Sequence, residues 1–297
     1  MKDKQDSCEG QAPWHRAKKV FVAALVSLLL LPGSATAADL KPRTIAAFNR
    51  YVLLTEAQID SGFARREPFL WVESLPENRR GEAYAQLREG KVVIERLETL
   101  DAGRQIEVPD GLIHHWIGTV FIPGATLTQT LALEQDYDHQ QQYFRPDVAR
   151  SKMLRRDGND FVIELRLYKK KVITTVIDTT HEVHYQPVDS TREWSRSRTT
   201  RVQEVDDAGK PAEKLEPEGH DRGFLWRMNT YWRFEEKDGG TYVECLSISL
   251  TRDIPAGLGW MIGPYVKSVP RESLTFTLAT TRSAVLERIG TGAQTSH

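Results

Sequence analysis

The chain has 297 residues, 40 Lys+Arg against 41 Asp+Glu, and is 40% hydrophobic and 27% charged. Those fractions are those of an ordinary folded protein and exclude disorder, collagen-like repeats and coiled coil. A net charge of −1 supplies no overall field for nucleic acid or anionic membrane, and two cysteines cannot build a disulfide scaffold.

Residues 1–19 are polar and carry Lys2, Lys4, Arg16, Lys18 and Lys19. Val20 to Leu31 is apolar except for Ser27; Pro32-Gly33 breaks the run, and Ala35-x-Ala37 follows. This order predicts a secretory signal peptide over 1–37, cleaved before Ala38. The apolar run falls short of the roughly 20 residues a spanning helix needs. Removing five basic and three acidic residues leaves 35 and 38, a net charge of −3 for the mature chain. Cys8 leaves with the leader, so Cys245 is the sole cysteine of an expected periplasmic or secreted protein. Its place in an alternating apolar run predicts a buried, inert thiol.

Thr44 to Phe63 has apolar residues at helical spacing and reads as an amphipathic helix. From Lys91 the period becomes extended: Val92 to Leu97 and Trp116 to Ile122 read as strands. Thr126 to Tyr143 reads as helix, ended by Pro146. A run of strands follows over Ser151–Arg156, Phe161–Tyr168, Val172–Thr180, Glu182–Gln186 and Trp194–Val205, then a charged excursion over 206–221. Leu225–Glu236 and Thr241–Asp253, joined at Lys237-Asp238-Gly239-Gly240, carry the strongest hairpin signal in the chain. Pro255 to Pro264 reads as a Gly-rich bend. Pro270 to Ile289 reads as the last helix, with Pro270 in its first turn. Strands in one block with helices at either end mean α+β.

This order resembles the helix-grip fold of the START and polyketide cyclase-like (SRPBCC) superfamily over residues 88–290. The resemblance is carried by Tyr143-Phe144-Arg145-Pro146-Asp147-Val148 ahead of an alternating hairpin. It is also carried by Tyr231-Trp232-Arg233-Phe234, Gly239 to Glu244 and Ile248 to Pro255, and by Pro270-Arg271-Glu272-Ser273-Leu274. The latter blocks are similar to a family of exported bacterial proteins of this type. The resemblance implies a curved antiparallel sheet wrapped around the C-terminal helix, with an apolar cavity between them. It divides the chain into signal peptide 1–37, N-terminal helical extension 38–87, helix-grip domain 88–290 and a disordered tail 291–297.

Three groups of residues invite a chemical reading. His114-His115 point to opposite faces of a strand, and His181-x-x-His184 lacks a Cys or Glu partner at metal spacing; no metal and no cofactor is expected. Arg196 and Arg198 share a strand face, suited to an anion or to pairing with neighbouring acids. The last hairpin is dense in aromatics, and one of its faces must look toward the gripping helix. With the helix-grip cavity in view, the candidate ligand-binding residues are Trp116, Arg196, Arg198, Trp226, Asn229, Tyr231, Trp232, Tyr242 and Leu278. No nucleophile or phosphate-loop motif is present.

The first reading is an exported carrier or sensor of a lipid-like or other hydrophobic molecule, with peripheral membrane contact open and no nucleic-acid partner. The alternatives are a cyclase, dehydratase or hydrolase using the same cavity, and a closed-core structural or partner-binding module.

Overall fold

The structure, a computed structural model, describes residues 38–65, 67–170, 174–254 and 259–294. The expected signal peptide with Cys8, residues 255–258 of the expected bend, and the side chains of Trp260 and Tyr265 lie outside the described residues.

In chain order the elements are β1 (Ala38–Asp39), α1 (Pro42–Ala64), a 3-10 turn (Trp71–Ser74), α2 (Glu77–Arg88), β2 (Val93–Arg96), β3 (Leu100–Asp101), β4 (Arg104–Gln105) and β5 (Gly111–Pro123). Then come α3 (Leu127–Glu134), α4 (Gln140–Tyr143), β6 (Val148–Asp157), β7 (Asp160–Lys170), β8 (Thr174–Pro187) and β9 (Arg192–Asp206). The last are β10 (Lys214–Leu215), β11 (His220–Asp221), β12 (Arg227–Lys237), β13 (Gly240–Arg252) and α5 (Gly259–Gln294).

The main sheet has nine strands in the order β2-β5-β13-β12-β9-β8-β7-β6, with β10 paired to β9. All of its pairs are antiparallel. The β12–β13 hairpin closes through Asp238 and Gly239, both at positive φ (56° and 75°), the backbone that a tight turn matched to strand twist demands. The β6–β7 hairpin turns at Gly158.

The sheet is covered on both faces. On the front, α5 lies along β5 and β13. Its Leu274 and Leu278 join Val120, Ile122, Val243, Cys245 and Phe234 in the largest buried cluster. Gly118 is where helix and strand approach most closely: a Cβ there would lie 2.7 Å from Leu278 Cδ1. On the back, α1 buries Thr44, Phe48, Tyr51 and Thr55, one face of the helix. Phe48 and Tyr51 pack with Tyr231, Ile248 and Leu250. The 3-10 turn and α2 cover Phe121 and Tyr242 nearby. The expected 38–87 extension is therefore the rear layer of the domain, and Ala37–His297 forms one compact unit.

Several boundaries differ from the sequence reading. The 126–143 helix is two: α3 ends at Glu134, and α4 takes up again at Gln140. Between them Tyr137 turns inward to reach Tyr185 (Oη···Oη 2.8 Å), and the Asp136 carboxylate meets His139 Nδ1 (2.6 Å). Such local side-chain bonds compete with helical ones. From Thr174 on, the segments read as Val172–Thr180 and Glu182–Gln186 are one strand, β8, and a register shift against β9 at Thr180/His181 is the irregularity between them; residues 172–173 lie outside the described residues. The final helix begins at Gly259 and runs through Pro264 and Pro270 to Gln294, so Pro270 is not in its first turn. Each proline removes one intrahelical hydrogen bond, a loss that a 36-residue helix absorbs. Residues 291–294 of the expected tail belong to it.

Candidate functional site

The period-two alternation of strands sorts every residue of the sheet to front or back. Cross-strand partners share a face, so the register defines rows running across the sheet. One front row is Gly118, Cys245, Trp232, Ser195 and Tyr185. The next is Trp116, Ser247, Thr230, Ser197 and Val183. In the third, His114 pairs with Ser249 and Ser249 with Met228; the Met228 N–H donates to Thr199 Oγ1 (2.9 Å), and Thr199 pairs with His181.

The front face is consequently of two kinds. Beyond Gly118 it is apolar and filled. Leu133 of α3, Tyr137 from the link to α4 and Phe144 just after α4 pack in one cluster with Phe161 and Tyr185. Toward the other end it turns into a band of small hydroxyls bounded by two imidazoles. His114 and His181 are buried there, and burial lowers both to about 4, so both are neutral near pH 7; the Arg96 charge adds to the effect at His114. His114 Nε2 meets Thr251 Oγ1 (3.0 Å), and His181 Nε2 meets Thr179 Oγ1 (2.9 Å).

Although β5, β13, β12 and β9 are interior strands, Trp116, Ser197, Met228, Thr230, Trp232 and Ser247 on this face are only half-buried. This part of the face is more exposed than the apolar part beside it. Ser195 Oγ, on a residue 1% exposed, has no hydrogen-bond partner. A separate shallow recess of about 260 Å³ lies at the surface between α4 and α5, bordered by Gln142, Tyr143, Thr280 and Glu287.

The nine candidate residues do not converge. Trp116, Trp232 and Leu278 lie on the front, around the apolar cluster. Trp226 and Tyr231 are in the rear cluster under α1, and Tyr242 is under the 3-10 turn and α2. The Tyr231 hydroxyl donates to Glu56 Oε1 (2.9 Å), and Trp226 Nε1 donates to Asp221 Oδ1 (3.0 Å). Asn229 Nδ2 reaches Tyr231 Oη (3.4 Å), on the same side. Arg196 is ion-paired with Asp60 of α1, and exposed Arg198 with Glu182 (2.7 Å). A single cavity lined by all nine is therefore corrected to two groups on opposite faces. Alternation itself separates Tyr231 from Trp232 and Arg196 from Ser195. His114 and His115 are likewise split, His115 Nδ1 meeting Tyr51 Oη at the back (3.0 Å).

Ser195, Ser197, Thr199, Thr230, Ser247, Ser249 and His181 were missed as site residues. A signal existed: Ser195, Ser197 and Thr199 alternate with Arg196 and Arg198 in β9. The arginines drew attention to the face that turned out to be the back.

Cys245 is a free thiol, 1% exposed, and burial raises its pKa well above the ordinary thiol range. Among the described residues no cluster of His, Cys, Asp and Glu could hold a metal ion, and no helix is long and apolar enough to cross a membrane.

A sheet gripping a long C-terminal helix, fed by strands in this order, is a START-like helix-grip fold of the α+β class. No protein-family model matches the sequence, and no curated protein does. Solved structures similar to the chain include the Zhui aromatase/cyclase from Streptomyces sp. R1128, with 13% identity, TM-score 0.42, 60% of this chain and 96% of that one. A STAR-related lipid transfer protein fragment from Xanthomonas axonopodis gives 16% identity and TM-score 0.40, over 65% of this chain and 98% of that one. Human STARD10 gives 9% identity and TM-score 0.42, over 74% and 84%.

Proposed function

We propose that the protein is an exported, non-catalytic carrier or sensor that holds a hydrophobic or lipid-like small molecule between the front of the sheet and α5. The observation that carries this reading is the band on interior strands, where Trp116, Trp232 and Met228 and the hydroxyl residues Ser197, Thr230 and Ser247 stay half-buried. A concave apolar wall with a few polar groups is the usual make-up of a small-molecule site. The basic, apolar and small-residue order of residues 1–37 supports export.

Nile red titration of the purified protein tests the binding. Saturable fluorescence, lost when Ser247→Trp fills the band, is the expected result. Absence of saturable binding by the folded protein, with nothing extractable copurifying, contradicts the reading. For export, the N-terminus of protein recovered outside the cytoplasm is expected at Ala38; an intact Val20–Leu31 segment contradicts it.

A further inference from the structure

We propose that the buried end of the ligand is an uncharged hydrogen-bonding group, a hydroxyl or carbonyl, seated on the band between His114 and His181. This rests on the binding reading above and specifies the chemistry of that site.

Three observations support it. First, the polar groups of the band between the histidines are the hydroxyls of Ser195, Ser197, Thr199, Thr230, Ser247 and Ser249 and the indole N–H groups of Trp116 and Trp232, all uncharged. Trp232 Nε1 donates to Thr230 Oγ1 (3.3 Å). Hydroxyls both donate and accept, so the band can match an alcohol or a carbonyl. His181 is itself engaged by Thr179 Oγ1 (2.9 Å) and Ser197 Oγ (3.4 Å) and frames the site. Second, several of these hydroxyls are unanswered. Ser195 Oγ is buried without a partner, and no side-chain hydrogen bond joins Ser247 or the 7% exposed Ser249 to another described residue. Ser195 Oγ is sealed from solvent, so the accessible hydroxyl free to bond a ligand is that of the half-buried Ser247, next to Ser249.

Third, the carboxyls of this face lie beyond the band and have partners or apolar cover. Glu134 of α3, on the Cys245 side, accepts from Thr281 (2.8 Å), and Glu193 lies one row beyond Ser195, beside Phe234. Glu204 is held by Arg222 (2.6 Å). Arg96 of the edge strand β2 stands opposite Trp116 and is exposed at the rim, where its charge reaches His114. A carboxylate or phosphate carried into the band would lose its water without meeting a countercharge, which costs several kcal/mol.

The test is displacement of bound Nile red at pH 8 by three probes of equal chain length: dodecan-1-ol, dodecanoate and dodecyltrimethylammonium, each below its micellar range. The alcohol is expected to displace at a concentration at least tenfold lower than either ion. Ser249→Ala is expected to weaken the alcohol about fivefold relative to Nile red, the effect of one lost hydrogen bond, with circular dichroism unchanged. Ser249→Thr, which keeps the hydroxyl, is expected to restore it. Dodecanoate binding as tightly as the alcohol, above all if Arg96→Ala abolishes it, overturns the neutral-group proposal while leaving the binding reading intact. An alcohol affinity indifferent to both Ser249→Ala and Thr230→Val overturns it too. Failure of Nile red itself to bind is the failure of the underlying reading and is distinguishable at the first step.

Discussion

The two faces of the sheet carry different polar groups. On the back they are mostly charged and joined in pairs, although His115 Nε2, Arg196 Nε and Asp221 Oδ2 have no hydrogen-bond partner. Glu244 is 1% exposed, yet it receives the Trp71 N–H (2.7 Å), the Thr119 hydroxyl (3.2 Å) and Arg233 Nη1 (3.2 Å). Burial pushes its carboxyl up, and Arg233 is the strongest opposing influence. Tyr231–Glu56, Trp226–Asp221 and Arg196–Asp60 continue the pattern. On the front, apolar packing by α5 gives way to hydroxyls with partners missing. The back is fastened by ion pairs such as Arg196–Asp60 and Arg233–Glu244, whereas the front presents neutral hydroxyls beside the half-buried Trp116, Trp232 and Met228.

The largest effect expected is at Glu244. Glu244→Ala leaves Arg233 and the Trp71 N–H without their partner and is expected to cost about 3–5 kcal/mol in urea unfolding, as breaking a buried pair does. A loss below about 1 kcal/mol would mean the back is not fastened there. On the front, Leu278→Ala removes the side chain that meets Gly118 and is expected to cost about 2–5 kcal/mol. It should also weaken Nile red binding, whereas Glu244→Ala should leave binding by the folded fraction unchanged. Equal effects of both on binding would erase the distinction between the faces.

Next comes a pH effect. Glu134, on the front, accepts a hydrogen bond from Thr281 of α5 (2.8 Å), and burial raises its carboxyl to about 7 from an ordinary 4.5. The folded state therefore favours the protonated acid. Its contribution is fully present below pH 4.5 and is lost as pH rises to about 7. His114, His115 and His181 are lowered from 6.5 to about 4, so their contribution is lost as pH falls through that range. Glu134→Gln is expected to stabilise the protein at pH 8 by roughly 2–3 kcal/mol and to give no gain at pH 4.5. Thermal melts across pH 4.5–8 check this; a gain independent of pH contradicts it.

Smaller effects sharpen the contrast. Tyr231→Phe is expected to cost about 1 kcal/mol through the lost Glu56 bond, with probe binding unchanged. Arg198→Ala, which removes an exposed ion pair, should change stability by less than about 0.5 kcal/mol and binding not at all.

Much of the fold was legible because it rests on local signals. Asp238-Gly239 announced its hairpin, and the alternation of β7, β12 and β13 announced a sheet with two different faces. Residues at either end of the chain were read as helices, and α1 and α5 are there. The site was legible only in part. Periodicity says that Tyr231 and Trp232 face opposite ways; which face meets α5 depends on long-range packing, with Leu274 and Leu278 set against Gly118 on a strand more than 150 residues earlier. Large aromatics attracted the functional reading because they dominate buried area, but half of them were building the rear layer. Ser195, Ser197 and Ser249 carry little signal as single residues. They acquire meaning only when the register lines them up across four strands.

The most direct test of the contrast is the reactivity of a thiol placed in the band. Ser247→Cys is nearly isosteric, and in a Cys8→Ser background the only other thiol is Cys245, one row away and buried. The account predicts that Cys at 247 reacts with a small maleimide under native conditions, is protected by dodecan-1-ol, and leaves Cys245 unlabelled. A folded variant whose new thiol is as inert as Cys245, or reacts at a rate the alcohol does not alter, would contradict it.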